Sequence, residues 1–202
     1  LLSGRLSGEK KSTITSIVKK YNLDLRLTPN QDILLCNIAN KNKSEIKKSL
    51  SKIGYDNLED INEIQRHALA CPALPLCGLA MTEAERILPN VLKRIEKLLL
   101  DLNIEKTILF RMTGCPNGCT RPYMAELALV GSGQNKYQLW LGGSKNLQRL
   151  AKPFLPRMEL SDLEKTLQPL FELWKNSSDL DFGDFIDMQD ESSILNLLNE
   201  SQ

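Results

Sequence analysis

Two pairs of cysteines constrain this chain more than any other feature. Five residues separate Cys71 from Cys77, three separate Cys115 from Cys119, and thirty-seven lie between the pairs. Each pair sits where proline and glycine exclude a regular element: Cys71-Pro72-Ala73-Leu74-Pro75-Leu76-Cys77 and Gly114-Cys115-Pro116-Asn117-Gly118-Cys119. Such loops leave backbone N–H groups free to face a bound anion or cluster sulfur. A total of five cysteines is odd, and too few for a disulfide scaffold in a chain of 202 residues. Their distribution suggests a metal or cluster site in a reducing compartment. Four soft thiolates suit a cubane iron–sulfur cluster. A structural zinc ion is the second reading, although zinc pairs usually enclose two to four residues and only the second pair does so. Unrelated buried thiols are the third. The spacing favours the cluster and leaves the other two open.

Hydrophobic periodicity divides the chain into two lobes, expected at 1–59 and 60–202. In the first, Ile14, Ile17 and Val18 give a helix over 10–21. Leu23, Leu25 and Leu27 alternate with Asp24 and Arg26 as in a half-buried strand. Pro29-Asn30 marks a turn, Ile33–Ile38 a second strand, and Ser44 to Ile53 a helix stopped by Gly54. In the second lobe Thr82 and Glu85 form a candidate capping box. It would open a helix with the stripe Ala84, Ile87, Leu88, Val91, Leu92, Ile95, Leu98 and Leu99, which Pro89 should kink or break. A buried strand is expected over 106–112, running straight into the second cysteine loop. Leu127–Val130 and Tyr137–Leu141 read as a hairpin across 131–135. Ser161 and Glu164 suggest a second capping box, ahead of a helix through Leu163, Leu167, Leu170, Phe171 and Trp174. Beyond Lys175 the chain is polar and acidic, with 194–198 a short helix or frayed tail.

Charge narrows the function classes. Lys plus Arg number 26 and Asp plus Glu 25, a formal net charge of +1, so neither nucleic acid nor a membrane surface is an expected partner. No apolar run approaches the roughly 18–20 residues that cross a bilayer. Leu1 to Lys11 has no signal-peptide pattern. The start, Leu1-Leu2-Ser3-Gly4, reads as the middle of an element, so a fragment of a longer protein is expected.

The cysteine segments carry a family resemblance. Residues 71–89 (CPALPLCGLAMTEAERILP) and 112–133 (MTGCPNGCTRPYMAELALVGSG) resemble the two signature segments of the siroheme sulfite and nitrite reductases, and the likeness continues through 137–143 (YQLWLGG). Residues 26–31 (RLTPNQ) and 182–185 (FGDF) also resemble the ferredoxin-dependent sulfite reductases of plants and cyanobacteria. The resemblance implies an α+β fold: a partial ferredoxin-like lobe, then a mixed α/β domain binding siroheme and a 4Fe-4S cluster. Together they would equal most of the second half of a pseudo-twofold reductase. It implies Cys71, Cys77, Cys115 and Cys119 as cluster ligands, with Cys119 also bridging to the siroheme iron. It further implies six-electron reduction of sulfite to sulfide with electrons from ferredoxin, in the cytoplasm or, alternatively, the plastid stroma. Arg121-Pro122-Tyr123 and Ala73-Leu74-Pro75-Leu76 favour sulfite over nitrite. The Arg and Lys residues that hold and protonate the oxyanion are expected in a missing N-terminal half, so no catalytic residue is assigned here and no turnover is expected from this chain alone. The alternatives are a siroheme nitrite reductase fragment and a stand-alone cluster electron carrier.

The same resemblance makes Asn117, Arg121, Asn30 and Gln31 candidate siroheme or cluster contacts, against plain turn stabilisation. Arg111 is a weaker candidate of the same kind. His67 is expected at a surface or helix end, Cys36 in the core, and Trp140 and Trp174 in packing rather than electron transfer. Lys10-Lys11 and Lys47-Lys48 are solvated helix faces or a docking patch for an acidic ferredoxin.

Overall fold

The computed structural model describes residues 1–55, 61–177 and 179–200. It divides into two units, Leu1–Asn62 and Glu63–Gln202. The expected boundary between 59 and 60 lies outside the described residues. The fold is α+β throughout.

In the first unit α1 (Gly8–Tyr21) leads into an antiparallel pair, β1 (Asp24–Leu27) and β2 (Ile33–Cys36), followed by α2 (Lys43–Ser51). Ile17, Leu23 and Ile46 form its buried centre, with Tyr21, Leu35, Ile38 and Leu50 packed against them. Gly54 ends the helical segment as expected, and the Tyr55 N–H turns back to the Leu50 carbonyl. The β1 strand is not half-buried: Leu25 is 42% and Leu27 78% exposed, since the unit's small core is satisfied by Leu23. Cys36 is likewise only partly covered, because it ends the strand outside that core. Lys10, Lys11, Lys47 and Lys48 are exposed, and the Lys10 ammonium stands 4.7 Å from the Tyr55 ring centre.

A five-stranded sheet organises the second unit, in the order β3 (Leu69–Ala70), β4 (Phe110–Thr113), β5 (Leu127–Gly133), β6 (Lys136–Leu141), β7 (Lys152–Glu159). The first three strands are parallel and the last two antiparallel. Period-two alternation gives the sheet two chemically distinct faces. Phe110, Leu127 and Leu141 lie in register, as do Met112, Leu129 and Leu139, and all six are fully buried. They meet the apolar stripes of α4 (Leu88–Asp101) and α5 (Leu163–Lys175), with α7 (Glu191–Glu200) adding Ile194 and Leu198. Burying each such aliphatic side chain is worth about 1.5–3 kcal/mol. The opposite face carries Arg111, Ala128 and Trp140 in one row and Thr113, Val130 and Gln138 in the next.

Several local expectations are corrected. Thr82 caps no helix, because its hydroxyl lies 3.0 Å from the Tyr137 phenol and accepts the Asn135 N–H. The helix begins at Leu88, so Pro89 falls in its first turn, where a missing N–H has no partner to lose. Ser161 lies in a short 3-10 turn and Glu164 pairs with Arg94 of α4, so no capping box forms there. Strand β4 starts only at Phe110, since the Leu109 N–H goes to the Glu126 carboxylate. The hairpin strands run longer than expected, leaving only Gln134 and Asn135 between them. Strand β7 is not expected from the sequence; it contains Pro153 and Pro156, which its edge position tolerates. Helix α6 (Phe182–Met188) is not expected either, whereas α7 realises the short helix expected over 194–198, with longer bounds. His67 ends the short helix α3 (Glu63–His67), exposed as expected. Trp174 is a core residue that packs edge-on to Phe182, whereas Trp140 is only half-buried.

Glu126 fastens the C-terminal helices to the sheet. It is wholly buried, and its two carboxylate oxygens accept the Leu109 N–H at 2.8 Å and the Gly183 N–H at 2.9 Å. Burial pushes its pKa up, although both N–H groups pull it down. A raised folded-state pKa means stability present below the unfolded value, about 4.3, and lost as pH rises through the folded value. Glu126→Gln should therefore flatten this fall between acid and neutral pH, read from urea unfolding midpoints. Glu126→Ala should cost at least about 1–3 kcal/mol at any pH, because two N–H donors lose their acceptor.

Candidate functional site

The two cysteine loops are joined at one residue. Gly114 follows β4 directly and donates its N–H to Cys71 Sγ at 3.2 Å. Its carbonyl accepts the N–H groups of Met81 at 2.8 Å and Thr82 at 3.2 Å. A Cβ at 114 would lie 2.6 Å from Ala73 Cβ and 2.7 Å from the Thr82 carbonyl oxygen. Only glycine lets the strands of chain approach so closely. A Cβ on Gly131 of β5 would likewise meet the Gly114 backbone and Thr82 Cγ2.

Each loop is also tied to itself. In the first, Cys77 N–H bonds Ala73 O at 2.8 Å, Ala80 N–H bonds Cys77 O at 3.2 Å, and Leu74 N–H bonds Thr82 O at 3.4 Å. Cys71 extends from β3, donating to Met112 O at 3.3 Å and accepting from Glu85 N–H at 3.1 Å. Tyr137 supports this loop from the sheet: its phenol donates to Glu83 O at 2.7 Å, and burial pushes its pKa up to about 12. In the second loop the Arg121 N–H returns to Gly118 O at 2.7 Å, and Thr120 Oγ1 donates to Met112 O at 3.1 Å.

The thiols differ in environment. Cys71 and Cys115 are buried, Cys77 is half-buried and Cys119 is exposed. Burial pushes the Cys71 thiol pKa up and the charges of Cys119 and Cys115 add to this, while the Gly114 and Ala73 N–H groups oppose it. Cys115 and Cys119 thus each lie within electrostatic reach of Cys71. Cys77 stands on the Cys71 loop. Among the described residues, no three His, Cys, Asp or Glu side chains gather around a point suited to a single metal ion.

The remaining candidates divide. Asn117 is exposed at the tip of the second loop, and Arg121 is half-buried with left-handed backbone, φ 55°. Asn30 and Gln31 belong to the first unit, in the turn between β1 and β2. There the Thr28 hydroxyl accepts the Asn30 N–H at 3.3 Å, and the Thr28 carbonyl accepts the Gln31 N–H at 3.3 Å. Arg111, the weakest candidate in the sequence, is 3% exposed. Its guanidinium donates to the carbonyls of Thr120 at 3.3 Å and Arg121 at 3.0 Å, closing the base of the second loop. Sequence reasoning missed Thr82, Tyr137 and Glu126 as supports of this region. For Arg111 the signal was a cation inside the apolar run Ile108-Leu109-Phe110-Arg111-Met112.

Comparison with known proteins agrees with this architecture. Residues 1–53 match the family described as nitrite/sulfite reductase ferredoxin-like half domain. The chain is 47% identical over 194 residues to sulfite reductase (ferredoxin) of Synechococcus elongatus, covering 93% of this chain and 31% of that protein. It is 37% identical to the sulfite reductase (NADPH) hemoprotein beta-component of Staphylococcus carnosus, covering 87% of this chain and 32% of that one. The fold is similar to that of Mycobacterium tuberculosis NirA, with TM-score 0.76, 18% identity, and coverage of 96% of this chain and 38% of that one. The chain belongs to the nitrite/sulfite reductase family. It spans about a third of the length of the curated relatives it matches.

Because Gly114 has no room for a side chain, Gly114→Ala should force the two cysteine loops apart. The expected result is a lower melting temperature. Gly78→Ala, where a Cβ meets nothing within 4 Å, should leave it unchanged.

Proposed function

We propose that this chain is the cluster-carrying part of a siroheme sulfite reductase. The observation that carries the proposal is the joining of Cys71-Cys77 and Cys115-Cys119 at Gly114, in a chain whose curated relatives are named sulfite reductases. Cys71, Cys77, Cys115 and Cys119 would hold a 4Fe-4S cluster, with residues 60–202 as the cofactor-binding domain. The donor set fits: four thiols, with the N–H groups of Gly114 and Ala73 already turned toward the Cys71 sulfur. Cys119 would be shared with siroheme, and its exposure leaves the thiol accessible to a second group. Arg121 and Asn117 flank it in sequence and would be the contacts for a heme carboxylate.

When bound, the paired cofactors supply the electron path and the redox centre at which sulfite sulfur goes from +4 to −2. The balance is SO3(2−) plus six electrons and six protons giving S(2−) and three waters. This chain's own residues bind and orient: Gly114 fixes the spacing of the loops, and Tyr137 and Thr82 hold the first loop to the sheet. Reduced ferredoxin is the proposed donor, on the strength of the Synechococcus relative's name. The proposed compartment is a reducing one, the cytoplasm or alternatively the plastid stroma, in line with five free cysteines. Among the described residues, no helix is long and apolar enough to cross a membrane. Sulfite is favoured over nitrite because relatives at 37–47% identity are named sulfite reductases. The groups that grip and protonate sulfite are proposed to lie in sequence this chain does not include.

Anaerobic reconstitution with iron and sulfide tests the reading. Iron and sulfide should bind in equal amounts at cluster stoichiometry. Cys119→Ser and Cys71→Ser should each reduce that loading, while Cys36→Ser should leave it unchanged. Tight binding of one zinc in place of iron and sulfide would sink the proposal. Siroheme added to the loaded chain should give no sulfite turnover with reduced methyl viologen, and turnover would overturn the assignment of the oxyanion-binding groups elsewhere.

A further inference from the structure

Arg111 is the one buried cation of the second unit that meets no carboxylate among the described residues. It projects from β4 on the face opposite the apolar core, between Ala128 and the loop that carries Cys115 and Cys119. Its two observed partners are neutral carbonyls, those of Thr120 and Arg121. Its Nε is buried with no acceptor. Arg121, the nearby charge, is of the same sign, and burial together with that charge draws the Arg111 pKa down to about 10. A guanidinium in such surroundings is costly unless an anion compensates it. Arg94 and Arg149, by contrast, each pair with acidic side chains.

We propose that Arg111 is the positioning residue and internal countercharge of the proposed cluster site: it closes the base of the Cys115–Cys119 loop through two carbonyls and supplies the positive charge that the thiolate-bound cluster requires. This rests on the cluster reading above. A 4Fe-4S cluster with four thiolate ligands is anionic and gains a further negative charge on reduction, so a fixed cation beneath its ligand loop favours the reduced state and raises the potential. The guanidinium fork suits the double task, since it spans two carbonyls while always charged. Thr120 completes the clamp by donating to Met112 O from the loop's other side.

The test compares the wild-type chain with Arg111→Gln and Arg111→Lys, each reconstituted anaerobically with iron and sulfide. Folding is followed by circular dichroism, loading by iron content, and the cluster by redox titration. Arg111→Gln should load and show a reduced-to-oxidised ratio at fixed potential roughly tenfold lower, equivalent to 59 mV for one electron. Arg111→Lys, which keeps the charge, should titrate as the wild type does. An unshifted potential in the Gln variant, or equal shifts in both, overturns the proposal. If the Gln variant loses its iron or its fold, the Lys variant decides: normal loading and potential support the countercharge, and failure of both overturns it. A wild-type chain that takes up no cluster removes the proposed function and this inference together, whereas failures confined to the variants bear on Arg111 alone.

Discussion

The packing of Gly114 against Ala73, Thr82 and Gly131 is the constraint on which the rest of the site depends. Two loops whose cysteine pairs are separated by thirty-seven residues meet there through backbone atoms. One glycine donates its N–H to a cysteine sulfur and accepts two N–H groups from the partner loop at its carbonyl. Proline gives each loop stiffness, but stiffness alone does not set the distance between them. That distance is set by the absence of a side chain at one position. The sheet then holds the junction from below, since β3 delivers Cys71, β4 delivers Gly114 and β5 presents Gly131.

The division of labour between the two faces of the sheet follows from strand periodicity. One face is a continuous apolar ladder under α4 and α5, and it carries most of the burial energy. The other begins with Arg111 and Thr113, both buried and polar, where the chain leaves β4 for the second cysteine loop. A core-facing side chain at 111 would have added stability; the guanidinium instead organises the carbonyls that follow Cys119. Burying a charge without a carboxylate is a cost that stability alone does not explain, which is why it points toward a ligand.

Support also comes from the far end of the chain. Glu126 receives the N–H of Gly183, and Arg149 links the Gly142 carbonyl to Asp184 of α6. The segment 182–185, which resembles the reductase tail, therefore acts as a fastening. Phe182 enters the aromatic group with Phe171 and Trp174, and Phe185 is buried beside it. These contacts secure the strand connections that present the loop of Cys115 and Cys119.

The sequence by itself determined the cysteine pattern, the loops that bear it, the amphipathic stripes of α1, α4 and α5, and the β5–β6 hairpin. These are local or periodic properties, and each residue type speaks for itself at the right spacing. What only the tertiary structure decided was non-local. Thr82 looked like a helix cap because its sequence neighbours fit, yet a phenol fifty-five positions away claimed its hydroxyl. Strand β7, with its two prolines, is accommodated only because it lies at the sheet edge. Arg111 was an oddity in an apolar run until the fold brought it under the Cys119 loop, where its partners are the neutral carbonyls of Thr120 and Arg121. The partner lay fifty-five positions away for Thr82 and in the following loop for Arg111, and hydrogen bonds or charges formed across a fold leave no period in the sequence to read.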